Sequence, residues 1–295
     1  MTRPRDNRDD IVAVAVAGRV SDARIHPELL WMDDGGRSCV LPGTGGVVLG
    51  LHVGDRINDR EADHAMVGAS VEDAGANLDD PAALHLLSCL GNRVRDARGV
   101  ALGVVAGKRG GLAPRAFPPS LVAVEATDER LTSLVPGDRI VVEAEGRGLG
   151  LPDFPEVSLA NCSPRLLDEL PLQASSGRLE ISVKIIIPAR FAGPGLGQDV
   201  WIGDLEIVSR HHPAIDLSEL RYGDLVAFQG IDSANNRFYR PGFVSVGVIS
   251  HGPSQWPGHG PGATIVLSGP AERIAPANDA DSSVASCLRT WGAES

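Results

Sequence analysis

Three times the chain repeats one phrase, Leu-x-x-Gly-Asp-x-aliphatic: Leu51 to Ile57, Leu134 to Ile140 and Leu220 to Val226. Glycine supplies the positive φ of a tight turn, and aspartate can accept a backbone N–H two residues on. The β-branched residues that follow suit a pleated sheet. Phrases of this kind mark strand starts in compact β-barrels, so the three aspartates read first as turn formers. Further apolar runs at 11–17, 120–126, 140–145, 157–160, 178–187, 199–209, 226–231, 244–251 and 263–268 read as strands. Helices are fewer. Asp79-Asp80-Pro81 caps a segment through Cys89 that Gly91 ends, and Ser163-Pro164 opens one that Pro171 closes.

The fold expected is therefore mixed α/β of the α+β kind, predominantly β, with barrel-like or sandwich sheets and a few short helices. Residues 1–10 are nearly all polar and 271–295 are poor in apolar residues, so a disordered N-terminus and a flexible tail are expected. Between them lie an N-terminal mixed α/β part, 11–172, and a C-terminal mainly β part, 178–270.

With 27 Lys and Arg against 38 Asp and Glu, the net charge of −11 disfavours a nucleic-acid backbone or an anionic membrane as partner. No apolar run approaches the length of a membrane span. The run from Ile11 to Ala17 follows acidic residues where a secretory signal needs basic ones, and reads as a buried first strand. Cys39, Cys89, Cys162 and Cys287 show neither a CxxC pair nor metal-finger spacing, which suits reduced thiols in the cytoplasm.

Several chemistries drop out. Gly103 to Arg109 imitates a phosphate loop, but its spacing is one residue short and Arg109 stands where a hydroxyl should hold magnesium. Neither HExxH nor GxSxG occurs, and Gly43 to Val48 lacks the third glycine of a dinucleotide fingerprint. What remains is a basic glycine loop and a crowd of histidines. In Gly107-Lys108-Arg109-Gly110-Gly111, successive peptide N–H groups beside two cations can cradle a carboxylate or phosphate; the plain alternative is a solvated hairpin tip. Four of eight histidines lie in the last third: His211, His212, His251 and His259. His259 is flanked by Gly258 and Gly260, with prolines outside them, so its backbone can approach a ligand closely. Such a histidine can carry a proton, orient a substrate or bind a metal. Asp204 and Glu206, two apart in a strand, share a face, and Asp232 can join them. The acidic run from Asn58 to His64 reads as a wet surface loop.

Four phrases in this order resemble an uncharacterised prokaryotic family, catalogued as domain of unknown function 4438. They are Ser88 to Asn92, Gly103 to Gly111, Leu220 to Ala227, and Val246 to His251 leading to Gly258 to Gly262. The resemblance spans about residues 10–270 and implies a cytoplasmic, mixed α/β homo-oligomer, without an activity. A fainter similarity, confined to the glycine-aspartate strand starts, is to the acetamidase and formamidase family.

The residues favour an enzyme acting on a small polar carbonyl compound, such as an amide, lactam or carboxylate, by hydrolysis or related acid-base chemistry. His251 and His259 serve as proton carriers or metal ligands, Asp204 as base or orienting carboxylate, and Lys108 with the 107–111 backbone as oxyanion stabiliser. Gly107, Arg109, Gly110, Gly111, Gly258 and Gly260 line the ligand. A divalent metal is compatible with this set, which does not itself decide whether one binds. The alternatives are a metal-free lyase or cyclase of specialised metabolism and a non-catalytic ligand-binding or assembly module.

Overall fold

The computed structural model describes residues 2–24, 31–32, 35–73, 83–110, 120–208 and 214–289. Its first half is a closed barrel of six strands: β1 (Val14–Val20), β2 (Ala69–Asp73), β3 (Arg93–Asp96), β4 (Ala101–Arg109), β5 (Leu121–Glu125) and β6 (Arg139–Ala144), in the order β1-β6-β3-β4-β5-β2. Closure removes the unpaired strand edges of an open sheet. Val16, Val71, Val94, Val105, Val122 and Val142 fill the interior, so the low aromatic content is met by β-branched packing.

The second half is an open sheet. It comprises β7 (Ser158–Leu159), β8 (Ile185–Pro188), β9 (Leu205–Glu206), β10 (Leu225–Asp232), β11 (Phe238–His251) and β12 (Gly262–Pro270), in the order β7-β12-β11-β10-β8, with β9 paired to β12. The main core cluster joins both halves: Val104, Ala106 and Leu121 of the barrel pack with Leu205, Val246, Val248 and Ile265. Strand β4 is thus covered on both faces. The architecture is mixed α+β and mostly β, with short helices α1 (Ala83–Leu87), α2 (Asp128–Leu131), α3 (Pro164–Glu169) and α4 (Ala285–Arg289).

The repeated phrase makes one structure three times. Gly54, Gly137 and Gly223 have φ of 95°, 93° and 90°. Asp55, Asp138 and Asp224 each accept, at 2.9 Å, the N–H of the residue three positions earlier: His52, Val135 and Arg221. The bond reaches backwards across the turn, because the left-handed glycine folds the preceding backbone over the carboxylate. Ser163 caps α3 as its sequence implies, accepting from the Leu166 N–H.

Residues 2–10 and 271–289 are built in, contrary to their polar composition; residues 290–295 of the expected tail lie outside the described residues. Thr2 bridges to Ala174, and the Arg8 guanidinium donates to both oxygens of Asp168 at 2.7 and 2.9 Å. A strand at Ile274–Asn278 runs parallel to Arg178–Val183, and α4 buries Cys287 and Leu288. A free strand edge and a few well-placed apolar residues suffice to order a segment whose average composition is polar. The expected strand at 199–209 shrinks to β9, because turns occupy the residues before it.

If the aspartate holds the turn, Asp138→Ala should lower stability by about 1 kcal/mol in urea unfolding, the worth of one turn hydrogen bond. An unchanged midpoint would show the glycine alone to be sufficient.

Candidate functional site

Strand pairing sets out the site. Glu206 on β9 lies opposite Gly262, the first residue of β12, and Gly262 lies opposite His251, the last residue of β11. Carboxylate, glycine and imidazole thus stand in a row across three strands. A Cβ on Gly262 would overlap both His251 Nε2 and Asp204 Oδ2, so only glycine fits beneath that pair. His64 arrives from the N-terminal half. Its N–H donates to the Pro253 carbonyl at 3.0 Å, Gly252 N–H donates to the Ala65 carbonyl at 2.9 Å, and Met66 bridges to His251. His64 has a positive φ of 50°, strain that surrounding structure must hold in place. His259 comes from the loop after β11 and stacks on Trp256, with centroids 4.6 Å apart and planes 4° from parallel.

The three imidazoles meet, with the His64 ring 5.4 Å from both His251 and His259. Asp63 and His64 are 3% exposed, which overturns the wet-loop reading for these two residues, while Asp59, Arg60 and Glu61 of the same run are exposed as expected. They are anchored because the apolar segment after them packs into the core. Asp63 Oδ1 accepts from His64 Nδ1 at 2.9 Å and from Ser254 Oγ at 2.6 Å. The Nδ1–H is thereby held on Asp63, and Nε2 is buried without a hydrogen-bond partner, 3.7 Å from Glu206 Oε1. His259 Nδ1 lies 3.0 Å from Glu206 Oε2, yet the contact is not aligned as a hydrogen bond and both atoms are otherwise unpartnered.

Three unsatisfied donor atoms, His64 Nε2, His259 Nδ1 and a Glu206 oxygen, therefore converge within 4.8 Å of one another. Asp204, Glu206 and His251 form a second, overlapping group of the same kind. Ligand atoms about 2.1 Å from a zinc-like ion stand roughly 3 to 3.4 Å apart; here the Glu206 oxygens lie 3.0 Å from His259 Nδ1 and 3.7 Å from His64 Nε2, so a small inward movement of His64 would be needed to close on an ion. The Asp63 carboxylate behind His64 matches the outer-shell partner that orients metal-binding imidazoles. Burial acts to raise the Glu206 carboxyl, but its contacts with His259 and His64 and the charge of the imidazoles outweigh it and hold Glu206 well below the usual carboxylate range. Burial opposes ionisation of Asp63 too, and His64 and Ser254 overcome it.

His251 is completely buried. Its Nδ1 meets the Gly252 carbonyl at 2.7 Å, which can only accept, so Nδ1 carries a proton. Its Nε2 is 2.8 Å from Asp204 Oδ2, and that contact requires a second proton or a shared cation between the two. Asp204 Oδ1 also takes the Gly110 N–H at 3.3 Å. The glycine-rich backbone thus does hold a carboxylate, one of the protein's own.

Lys108 and Arg109 are buried, not the tip of a solvated hairpin. A β-bulge between Val105 and Gly107 shifts the register, so Gly107 pairs with Ala123, Lys108 with Val122 and Arg109 with Leu121. Val122 belongs to the barrel interior, Leu121 and Ala123 to the core shared with the second sheet. Arg109 therefore faces the histidines and Lys108 faces away from them. Arg109 Nη1 donates to Thr44 Oγ1 at 3.0 Å, and the charges acting on Arg109 are those of Glu206, Asp204 and Asp63. The Lys108 amine donates to Asn161 Oδ1 at 2.7 Å and the Trp201 carbonyl at 3.2 Å. Burial pushes its pKa down to about 7.

Gly107 packs against Ser250, where a Cβ would collide. Gly258, with φ of 86°, faces open space, and Gly260 is buried. Asp232 does not join the cluster, because it pairs with Arg240 at 2.9 Å. Gly111, His211 and His212 lie outside the described residues. His64 and Asp63 were legible only as an Asp-His pair immediately before an apolar run.

The family model "Domain of unknown function (DUF4438), N-terminal" matches residues 31–168, and the model for the C-terminal domain of the same family matches 169–288. The crystal structure of TM1086 superposes with a TM-score of 0.88 at 30% sequence identity, over 97% of this chain and 99% of that one. No curated protein matches. Among the described residues, no helix is long and apolar enough to cross a membrane.

Two outcomes follow from this geometry. Gly262→Ala should displace the Asp204–His251 pair while leaving secondary structure by circular dichroism intact; a crystal structure with that contact preserved would contradict the close-packing argument. Lys108 binds fewer protons folded than unfolded between pH 7 and its unfolded value of about 10.4, so its burial penalty is relieved as pH rises through that window. Wild-type stability relative to Lys108→Met should therefore rise from pH 7 to 10, and a flat difference would mean that the amine is not shielded from water.

Proposed function

We propose that this chain, which belongs to the DUF4438 family, is a metal-dependent hydrolase acting on a small polar carbonyl compound such as an amide or lactam. The observation that carries the reading is the convergence of His64 Nε2, His259 Nδ1 and Glu206, buried donor atoms with no hydrogen-bond partner. Two imidazoles and a carboxylate form a donor set typical of catalytic zinc and of other divalent ions that keep an open position.

The charges support it. With Asp204 and His251 counted as a pair sharing one proton, the remaining charges are Asp63, Glu206 and Arg109. A divalent ion turns their net negative charge into a net positive one, suited to oxyanion development. When bound, such an ion polarises a carbonyl and lowers the pKa of water.

The chain's own residues do the rest. Asp63 fixes the tautomer and angle of His64, and Ser254 fixes Asp63. His251, with its Nδ1–H tied to the Gly252 carbonyl, presents Nε2 to Asp204, and this pair would give its shared proton to the leaving nitrogen and regain one from the attacking water, with no net proton taken up. Arg109, rather than Lys108, is the cation on the reacting side. A cytoplasmic location suits the free, buried Cys89, Cys162 and Cys287.

A second reading, a metal-free lyase or cyclase, has one observation in its favour: the Asp204–His251 pair is an acid-base device needing no ion. Elemental analysis separates the two. The hydrolase reading expects about one divalent ion per chain in protein purified without chelators, loss of that ion in Glu206→Gln and His259→Ala, and metal-dependent turnover in a screen of small amides and lactams. Metal-free protein that turns over substrate at the same rate after chelation would replace it with the second reading.

A further inference from the structure

Arg109 does more than balance charge. Its residue is 1% exposed, and only Nη1 is engaged, by Thr44 Oγ1. Nε and Nη2 are buried and have no hydrogen-bond partner. These two nitrogens form one edge of the guanidinium, the edge that receives a carboxylate through two parallel N–H···O bonds. Burying a charged donor edge without an acceptor is among the costliest arrangements in a protein interior. Pairing with Glu206, Asp204 or Asp63 would relieve that cost, yet Arg109 makes no ion pair with any of them, although their charges act on it. Thr44 also donates to the Asp63 carbonyl at 3.1 Å, so the hydroxyl that holds Arg109 is anchored beside the metal-ligating imidazole.

We infer that Arg109 is the substrate-binding residue for a carboxylate, and that the substrate is a small amide or lactam carrying a carboxylate group. This rests on the hydrolase reading, which supplies the scissile carbonyl. Thr44 sets the guanidinium's orientation and the bulge after Val105 aims it, so the vacant Nε/Nη2 edge receives the carboxylate while the carbonyl reaches the His64, His259 and Glu206 centre. The preference selects anionic over neutral compounds of equal size.

The test compares N-acetylglycine with N-acetylglycinamide, which differ only in carboxylate against neutral amide, by calorimetric titration of the protein as purified, with its metal content measured in parallel. The wild type should bind the carboxylate at least tenfold more tightly. Arg109→Gln should lose that preference while keeping its metal content, and Arg109→Lys should lose most of it, because an ammonium cannot make the two parallel bonds. In wild-type protein labelled with ¹⁵N-arginine, the Nε–H resonance missing from Arg109→Lys should shift with N-acetylglycine and not with the amide, a readout that does not depend on the folding of Arg109→Gln. No carboxylate preference in the wild type, including no binding of either compound, overturns the inference, as does a preference that survives both substitutions. Metal-free protein that still shows an Arg109-dependent preference would sink the metal reading and leave the carboxylate site standing.

Discussion

Carboxylates and imidazoles are buried together in this protein, and the site is organised around compensating them. Asp63, Asp204, Glu206, His64 and His251 are all nearly inaccessible to water. Ionised groups in such surroundings need partners or they neutralise. Asp63 finds His64 and Ser254, and Asp204 finds His251 and the Gly110 N–H. Glu206 is left facing two imidazole nitrogens with no aligned hydrogen bond. In the proposed reading a cation completes that arrangement where the protein's own groups do not.

The fold serves this constraint by bringing two halves of the chain together. The barrel contributes Arg109 at the end of β4, and the loop before β2 contributes Asp63 and His64. The second sheet contributes Asp204, Glu206, His251 and His259. The His64, His259 and Glu206 set draws on both halves, whereas the overlapping Asp204, Glu206 and His251 set comes from the second half alone. The close approach is possible because Gly262 has no side chain and because β4 is covered on both faces, so the residues at its end project into protein on either side.

Much of the fold is legible in the sequence. The Gly-Asp phrases mark three identical turns, and the Val-rich runs become the strands of barrel and sheet. At the site, His251, His259 and Asp204 are legible from glycine flanking and strand-end position. Three features are not. Asp63 and His64 sit in an acidic run whose composition says solvent, and only the tertiary packing of the segment after them buries the pair. The roles of Lys108 and Arg109 depend on one extra residue in β4: simple alternation from Val104 and Ala106 would aim Lys108 at the histidines, and the bulge before Gly107 aims Arg109 there instead, leaving the Lys108 amine on Asn161 and the Trp201 carbonyl. The order of the segments around Thr2 and Ile274–Asn278 depends on long-range pairing with Ala174 and with the Arg178–Val183 strand, which no local pattern announces.

Anomalous X-ray diffraction from crystals of protein never exposed to chelator addresses the centre most directly. The account requires a metal peak within coordination distance of His64 Nε2, His259 Nδ1 and a Glu206 oxygen. Density there for water alone, with Glu206 hydrogen-bonded to both imidazoles in crystals supplied with zinc, manganese or iron, would contradict it.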